Sequence, residues 1–275
     1  MNATPETGLS FAAYRAGMIL LAAYVVLIAK VGPTPDTFWT MLAVFAAALV
    51  SSIAGFAFSA ICGALLFHLI DDPVNAVEVM MVCSVGGQAV MVWSLRHKID
   101  WYTLSTFLIG GAVGLPLGLY ALTHTDSKLY LHAIGGLLVA YAAFMILRRP
   151  LVVARQSCAR DMFAGFLGGI TGGLAAFPGG PVTIWCGLKG WTKERQRGLY
   201  QPFILILQLI AIALMAARDY AGVRPHGFDW SGLLYLPAMI LGTSLGMTLF
   251  GWMNDKQFAR AVNVLLIVSG LSLLL

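Results

Sequence analysis

Phe177-Pro178-Gly179-Gly180-Pro181 is the stretch of this chain best suited to chemistry, and the backbone is what would perform it. Two prolines flanking two glycines cannot hold a regular helix. Proline lacks an N–H and fixes φ, and glycine lets another group approach the main chain closely. A helix opened there turns free N–H groups into the gap, and the resuming helix carries about +0.5 charge at its N-terminus. That combination suits a small oxyanion, which must replace several hydrogen bonds and offset its charge on leaving water. Pro178, Gly179, Gly180, Pro181 and Thr183 are therefore candidate substrate-binding positions. The first half of the chain holds a matching run of small residues, Ser51-Ser52-Ile53-Ala54-Gly55-Phe56-Ala57-Phe58-Ser59, which nominates Gly55, Phe58 and Ser59. In the second half the break is expected to begin earlier, at Gly168-Gly169-Ile170-Thr171-Gly172-Gly173.

Polar side chains inside apolar segments are the next candidates. Gln88, Gln201 and Gln208 can donate to an anion without the ~2.5–3.5 kcal/mol insertion cost of a central charge. Their competing role is interhelical hydrogen bonding, worth about 0.6 kcal/mol. Arg197 could hold an anion bidentately, or belong to a solvated helix start that meets lipid headgroups. Glu78 is the acid expected within a span; it is a candidate proton site or a carboxylate stabilised by the helix dipole. No GxSxG, HExxH or paired intramembrane carboxylate is present, so an enzyme is not expected. The four cysteines show no CxxC spacing, and no histidine pair stands at i,i+4. No metal and no cofactor is expected on that ground.

These positions lie on long apolar elements. Apolar residues make up 59% and charged residues 11% of the 275, against roughly 45–50% and 25% in a soluble domain. The apolar runs are continuous and about 20 residues long, which indicates an all-α integral membrane protein rather than a barrel. A short span between Arg15 and Lys30 reads as an additional N-terminal helix. Broken spans follow at about 38–69 and 161–188, with further spans near 74–95, 101–122, 129–147, 199–217, 231–252 and 257–275. Asp72 and Pro73 are the expected N-cap and first turn of one of them. Trp93, Trp101, Trp230 and Trp252 read as interfacial belt residues. Gly110, Gly111, Gly114 and Gly118 read as a helix-packing face.

The order of elements suggests duplication. Asp100-Trp101 recurs as Asp229-Trp230 and Gly114–Gly118 as Gly242–Gly246, while Asp126 and Asp255 each start a last span, all at offsets of 128 or 129. The expected organisation is residues 1–37 as tail and extra helix, 38–147 as a first four-span repeat, 148–160 as a basic loop and 161–275 as a second. If each broken segment crosses, the repeats share an orientation; if it folds back, they are inverted. Counted over nine crossings, Lys and Arg divide nine against eight, with the Arg148–Arg160 side favoured as cytoplasmic.

With these residues in view, the chain resembles the TauE/SafE sulfite-exporter-like family. Gly55-Phe56-Ala57-Phe58, Asp72-Pro73, the Arg96–Trp101 loop and Gly114-Leu115-Pro116-Leu117-Gly118 look like its first half. Gly172-Gly173, Pro178–Pro181 and Gly190-Trp191-Thr192-Lys193-Glu194 look like its second. The resemblance covers about residues 38–275. It implies a multi-pass bacterial inner-membrane transporter of sulfite, organosulfonates or related small anions. The chain departs from the pattern at Ala57, where glycine is usual, at Cys62-Gly63, where a proline is usual, and in its additional N-terminal span. The partners implied are the small anion and membrane lipids, with a homodimer left open and no nucleic acid. The other reading to weigh is a membrane scaffold or assembly factor without transport activity.

Overall fold

The computed structural model describes residues 35–54, 58–147, 157–220 and 228–250, together with Ile267 and Leu271. Gly55, the span at Arg15–Lys30, Trp252 and nearly all of the span at 257–275 lie outside the described residues. The chain divides into two compact units, Met1–Trp39 and Thr40–Leu275. The first contributes only Pro35–Trp39 to the described residues, with Phe38 and Trp39 in edge-to-face contact. All that follows concerns the second.

The described residues are helical and contain no strand. Nine α-helices follow in order: α1 (Pro35–Ala54), α2 (Phe58–Leu66), α3 (Pro73–Leu95), α4 (Trp101–His124), α5 (Ser127–Leu147), α6 (Cys158–Ala175), α7 (Gly179–Leu188), α8 (Lys193–Tyr220) and α9 (Leu236–Phe250). Two 3₁₀ turns stand at Arg96–Lys98 and Trp230–Tyr235. Three described helices are long and apolar enough to cross a membrane, over Pro73–Trp93, Trp101–His124 and Glu194–Arg218.

Aspartates start four of these elements, each by accepting main-chain N–H groups that a helix start leaves over. Asp72 takes Val74 N–H at 2.9 Å with Pro73 behind it, as expected. Asp126 takes Lys128 N–H, and Asp229 takes Ser231 N–H at 2.8 Å. Asp100 takes the Thr103 hydroxyl at 2.7 Å and its N–H at 3.2 Å. The Thr103 hydroxyl, then its N–H, hold the Asp100 carboxyl below the usual carboxylate range. Its capping contribution is thus present above the unfolded-state pKa and is lost as pH falls through the lowered folded value.

The core is a pair of helices in backbone contact. Gly110, Gly114 and Gly118 of α4 face Gly165, Gly169 and Gly173 of α6. A Cβ added at Gly169 would stand 2.8 Å from Leu115 N, and one at Gly110 would stand 2.8 Å from the Met162 carbonyl carbon. Residue numbers rise together along the contact, so α4 and α6 are parallel. Hydrocarbon supplies no hydrophobic drive for association, so close backbone packing across small residues supplies it instead. The packing reading of these α4 glycines holds. The expected break at Gly168–Gly173 does not: these glycines lie inside unbroken α6, and helix continuity is kept because the flat face they make is buried on α4.

The break comes at Ala176–Pro178, and there the chain turns back. Ala176 takes a left-handed conformation, φ 51° and ψ 27°, and closes α6 by donating its N–H to the Thr171 carbonyl. Pro178 tucks against Gly168 and Gly172 of the preceding helix. At the far end Asp161, one turn into α6, meets Trp185 and Lys189 at the end of α7. Helices α6 and α7 are therefore an antiparallel hairpin with both feet on one face, here face 1, where α4 and α8 also begin. Three residues assigned to the inter-repeat loop, Cys158, Ala159 and Arg160, form the first turn of α6.

The first interrupted segment folds back in the opposite sense. Gly242 and Gly246 of α9 lie against Ala48 and Leu49 of α1, again with numbers rising together. Helix α9 climbs beside α3, with Gly232 at Val82 and Thr243 near Gly87, so α1 and α9 both run toward face 1. Helix α2 returns to face 2, where Phe67 meets the Tyr130 ring at 5.7 Å. Neither interrupted segment is a crossing, which overturns the nine-crossing count of basic residues.

Candidate functional site

The second hairpin tip is built from the end of α6 and held by α5 and α8. Tyr130 donates its hydroxyl to Leu174 O at 2.8 Å. Gly173 lies beside Leu119, which places the tip about 27 Å along the roughly 36 Å of α4. The tip therefore passes mid-depth and lies toward face 2. The hairpin arm is long because α6 keeps its hydrogen bonds through the whole glycine run.

Beyond the tip, Pro178 stands at the N-cap of α7 with no side-chain cap, and Gly179, Gly180 and Pro181 form its first turn. Thr183 spends its hydroxyl on Gly179 O at 2.6 Å. Gly180 sits under Phe177, whose ring a Cβ would meet at 2.5 Å. Phe177, Ser59, Gly63, Phe67 and Ala175 line a narrow cleft of about 10 Å³, room for about one water, shared with Ile134 and Leu137 of α5. Ser59 and the second tip are thus brought to one place, and Phe58 is buried next to Ser59.

The glutamines form a second group along the α3–α8 seam. Gln88, Gln201 and Gln208 are each 1–2% exposed. Gln201 directs Nε2 at the Met91 sulfur at 3.4 Å, and Gln208 donates Nε2 to the Ala176 carbonyl at 3.1 Å. The side-chain oxygens of Gln201 and Gln208 find no partner among the described residues.

Arg197 and Glu78 belong to neither group. Arg197 lies three turns from Gln208, about 16 Å nearer face 1, and bonds the Tyr200 hydroxyl. Glu78 is fully buried near face 2 and accepts Asp229 N–H at 3.0 Å, joining α3 to the turn that starts α9.

The sequence reading missed the feet of the hairpin. Lys189 contacts both Asp161 oxygens, at 2.6 and 2.7 Å, and Trp185 donates its indole N–H to the same carboxylate at 2.6 Å. The two charged side chains are 4% and 9% exposed, and Lys189 also lies over the Trp191 ring at 4.6 Å. The signal was available: two lone opposite charges bracket an otherwise apolar, glycine-rich segment. The belt residues stand as expected, with Trp93, Trp101 and Trp230 at helix ends and at least half exposed. Cys62, Cys83 and Cys186 are buried free thiols, and Cys158 is exposed.

Three described helices long and apolar enough to cross a membrane, packed through glycine faces around oppositely directed hairpins, make this a multi-pass membrane protein. The chain belongs to the TauE/SafE sulfite exporter family, whose model matches residues 40–273. It is 28% identical over 204 residues to the probable inner membrane transporter protein TsaS of Comamonas testosteroni, covering 70% of this chain and 83% of that protein. No solved structure matches it.

Proposed function

We propose that this protein is an inner-membrane carrier that exports a small oxyanion of the sulfite or organosulfonate class. The observation that carries the reading is the tip of the second hairpin. The amides of Gly179 and Gly180 open a helix there, where a helix leaves its first N–H groups without intrahelical partners, close to buried Gln208 and to the cleft shared with Ser59. The name of the similar protein in Comamonas testosteroni supports the membrane assigned. Each negative charge leaving a negative interior gains ~2.3 kcal/mol per 100 mV, so outward movement needs no elaborate proton relay. Glu78 is the candidate for any proton coupling.

An inverted repeat would explain alternating access. Several relations support it. The hairpins α1–α2 and α6–α7 point in opposite senses. Each first arm packs through glycines on a helix of the other half. Asp100-Trp101 begins its element at face 1 and Asp229-Trp230 at face 2. Gln88 and Gln208 both stand 15 positions after a helix start (88 − 73 and 208 − 193). The proposed halves are residues 38–147 and 161–275, rocking about the tips.

Flux and current in proteoliposomes test the function. Sulfite or a small sulfonate is expected to drive charge movement in the native protein. Gly180→Val, which must displace Phe177, is expected to stop flux while the protein stays folded. Flux without current would overturn the electrogenic reading. A folded, native protein inert toward every small anion would favour the scaffold.

Fold-back also bears on orientation. Among the described residues Arg96, Lys98, Arg160, Lys189, Arg195 and Arg197 fall near face 1, and Lys128 and Arg218 near face 2. Positive charge favours the cytoplasm, so face 1 is assigned there. Cys158 is an exposed thiol at that face, and the other three thiols are buried. A membrane-impermeant maleimide is expected to label intact spheroplasts poorly and inverted vesicles well. The reverse pattern would place face 1 outside.

A further inference from the structure

Gln208 does more than fill the α3–α8 seam. Its Nε2 meets the carbonyl of Ala176, the left-handed residue that ends α6 and opens the tip. Only an N–H can face a carbonyl oxygen, so the amide has one orientation, and its Oε1 is the end left over. That oxygen is buried and finds no partner among the described residues. An alanine in this conformation persists only when its surroundings hold it, and Gln208 is the side chain that grips its carbonyl.

We propose that Gln208 is a positioning residue for transport: Nε2 pins the Ala176 carbonyl so that α7 begins open, and Oε1 accepts from a substrate O–H or a site water. The inference rests on the transport reading above and adds a requirement on the ligand. A site that donates from Gly179 and Gly180 and accepts at Gln208 matches an oxyanion carrying one proton better than a fully ionised one. Charged groups of the packed elements stand apart from the pin. Arg197 and Arg218 lie about three turns to either side on α8, Asp161 and Lys189 occupy the hairpin feet, and Glu78 is engaged by Asp229 N–H.

The test compares Gln208→Met and Gln208→Glu with the native protein, reading sulfite flux and hydrogen exchange of the 171–183 segment. Methionine keeps length and loses both bonds; exchange of the tip is expected to rise at least tenfold, with α4 amides unchanged, and flux to fall at least tenfold. Glutamic acid can donate to Ala176 O only when protonated. Its exchange and flux, each normalised to the native protein at the same pH, are expected to recover between pH 8 and pH 5. Native tip exchange in the methionine variant, or a glutamate variant whose ratios ignore pH, would overturn the pin. If the native protein carries neither sulfite nor any other small anion, the transport reading fails, and the exchange arm still decides the pin.

Discussion

Gly169→Val is expected to leave no folded protein in detergent, whereas Gly136→Val melts within a few degrees of the native chain. At Gly169 the new Cβ would stand 2.8 Å from Leu115 N and 2.9 Å from the Gly111 carbonyl carbon. Both obstacles are main chain, so no rotamer change removes them. Relief needs α4 and α6 to separate, and that breaks the contacts at Gly110, Gly114, Gly118, Gly165 and Gly173 together. Overpacking a core costs ~1–3 kcal/mol when side chains can yield. Here the cost exceeds that range, because packing across small residues is the main attraction between these helices in lipid. Gly136 of α5 has open space where its Cβ would go. The measurement is the monodisperse fraction and melting temperature of both variants. A Gly169→Val protein as stable as the Gly136→Val protein would show that the close α4–α6 approach is not what holds the core.

Lys189→Met should produce the second-largest loss, about 3–5 kcal/mol, because it strands the buried Asp161 carboxylate. Trp185 would remain its donor, and one indole N–H does not neutralise a charge. Since the pair ties the feet of the hairpin, its loss frees α7 to swing from α6 and spreads to the tip. Asp161→Asn combined with Lys189→Met is expected to return to within about 2 kcal/mol of the native stability, since no unpaired charge remains. The amide oxygen of the introduced asparagine can still accept from Trp185. Burial keeps salt from screening the native pair, so its contribution should vary little with ionic strength. Urea or thermal unfolding of the single and double variants checks this. A double variant as unstable as Lys189→Met would show that packing, and not charge, is the important term.

Much of the fold was legible from local chemistry. Asp72-Pro73 and Asp126 announce helix starts because a carboxylate beside free N–H groups is stable wherever the helix later packs. The Trp positions follow from amphipathic rings at an interface. Pro178-Gly179-Gly180-Pro181 announces a break because two of its residues cannot sit comfortably mid-helix. Gly168–Gly173 was misread for an instructive reason: glycine weakens an isolated helix, but against another glycine face it lets two backbones come into direct contact. The candidate site was legible only as residue types. Gln208 could be named from its polarity, but its grip on Ala176 O joins residues 32 positions apart and depends on where α8 lies. Nothing local marks Ala176 as left-handed.

The sequence by itself determined that this protein lives in lipid, where several of its helices start, and that the chain must open at Pro178–Pro181. Those follow from solvent transfer and from backbone bonds among near neighbours. Tertiary structure decided that the interrupted segments double back, which ends share a face, and which polar groups meet at the tip. Whether a broken helix crosses or returns depends on partners far along the chain: the carbonyls lying on a glycine face, and the lysine that closes on Asp161.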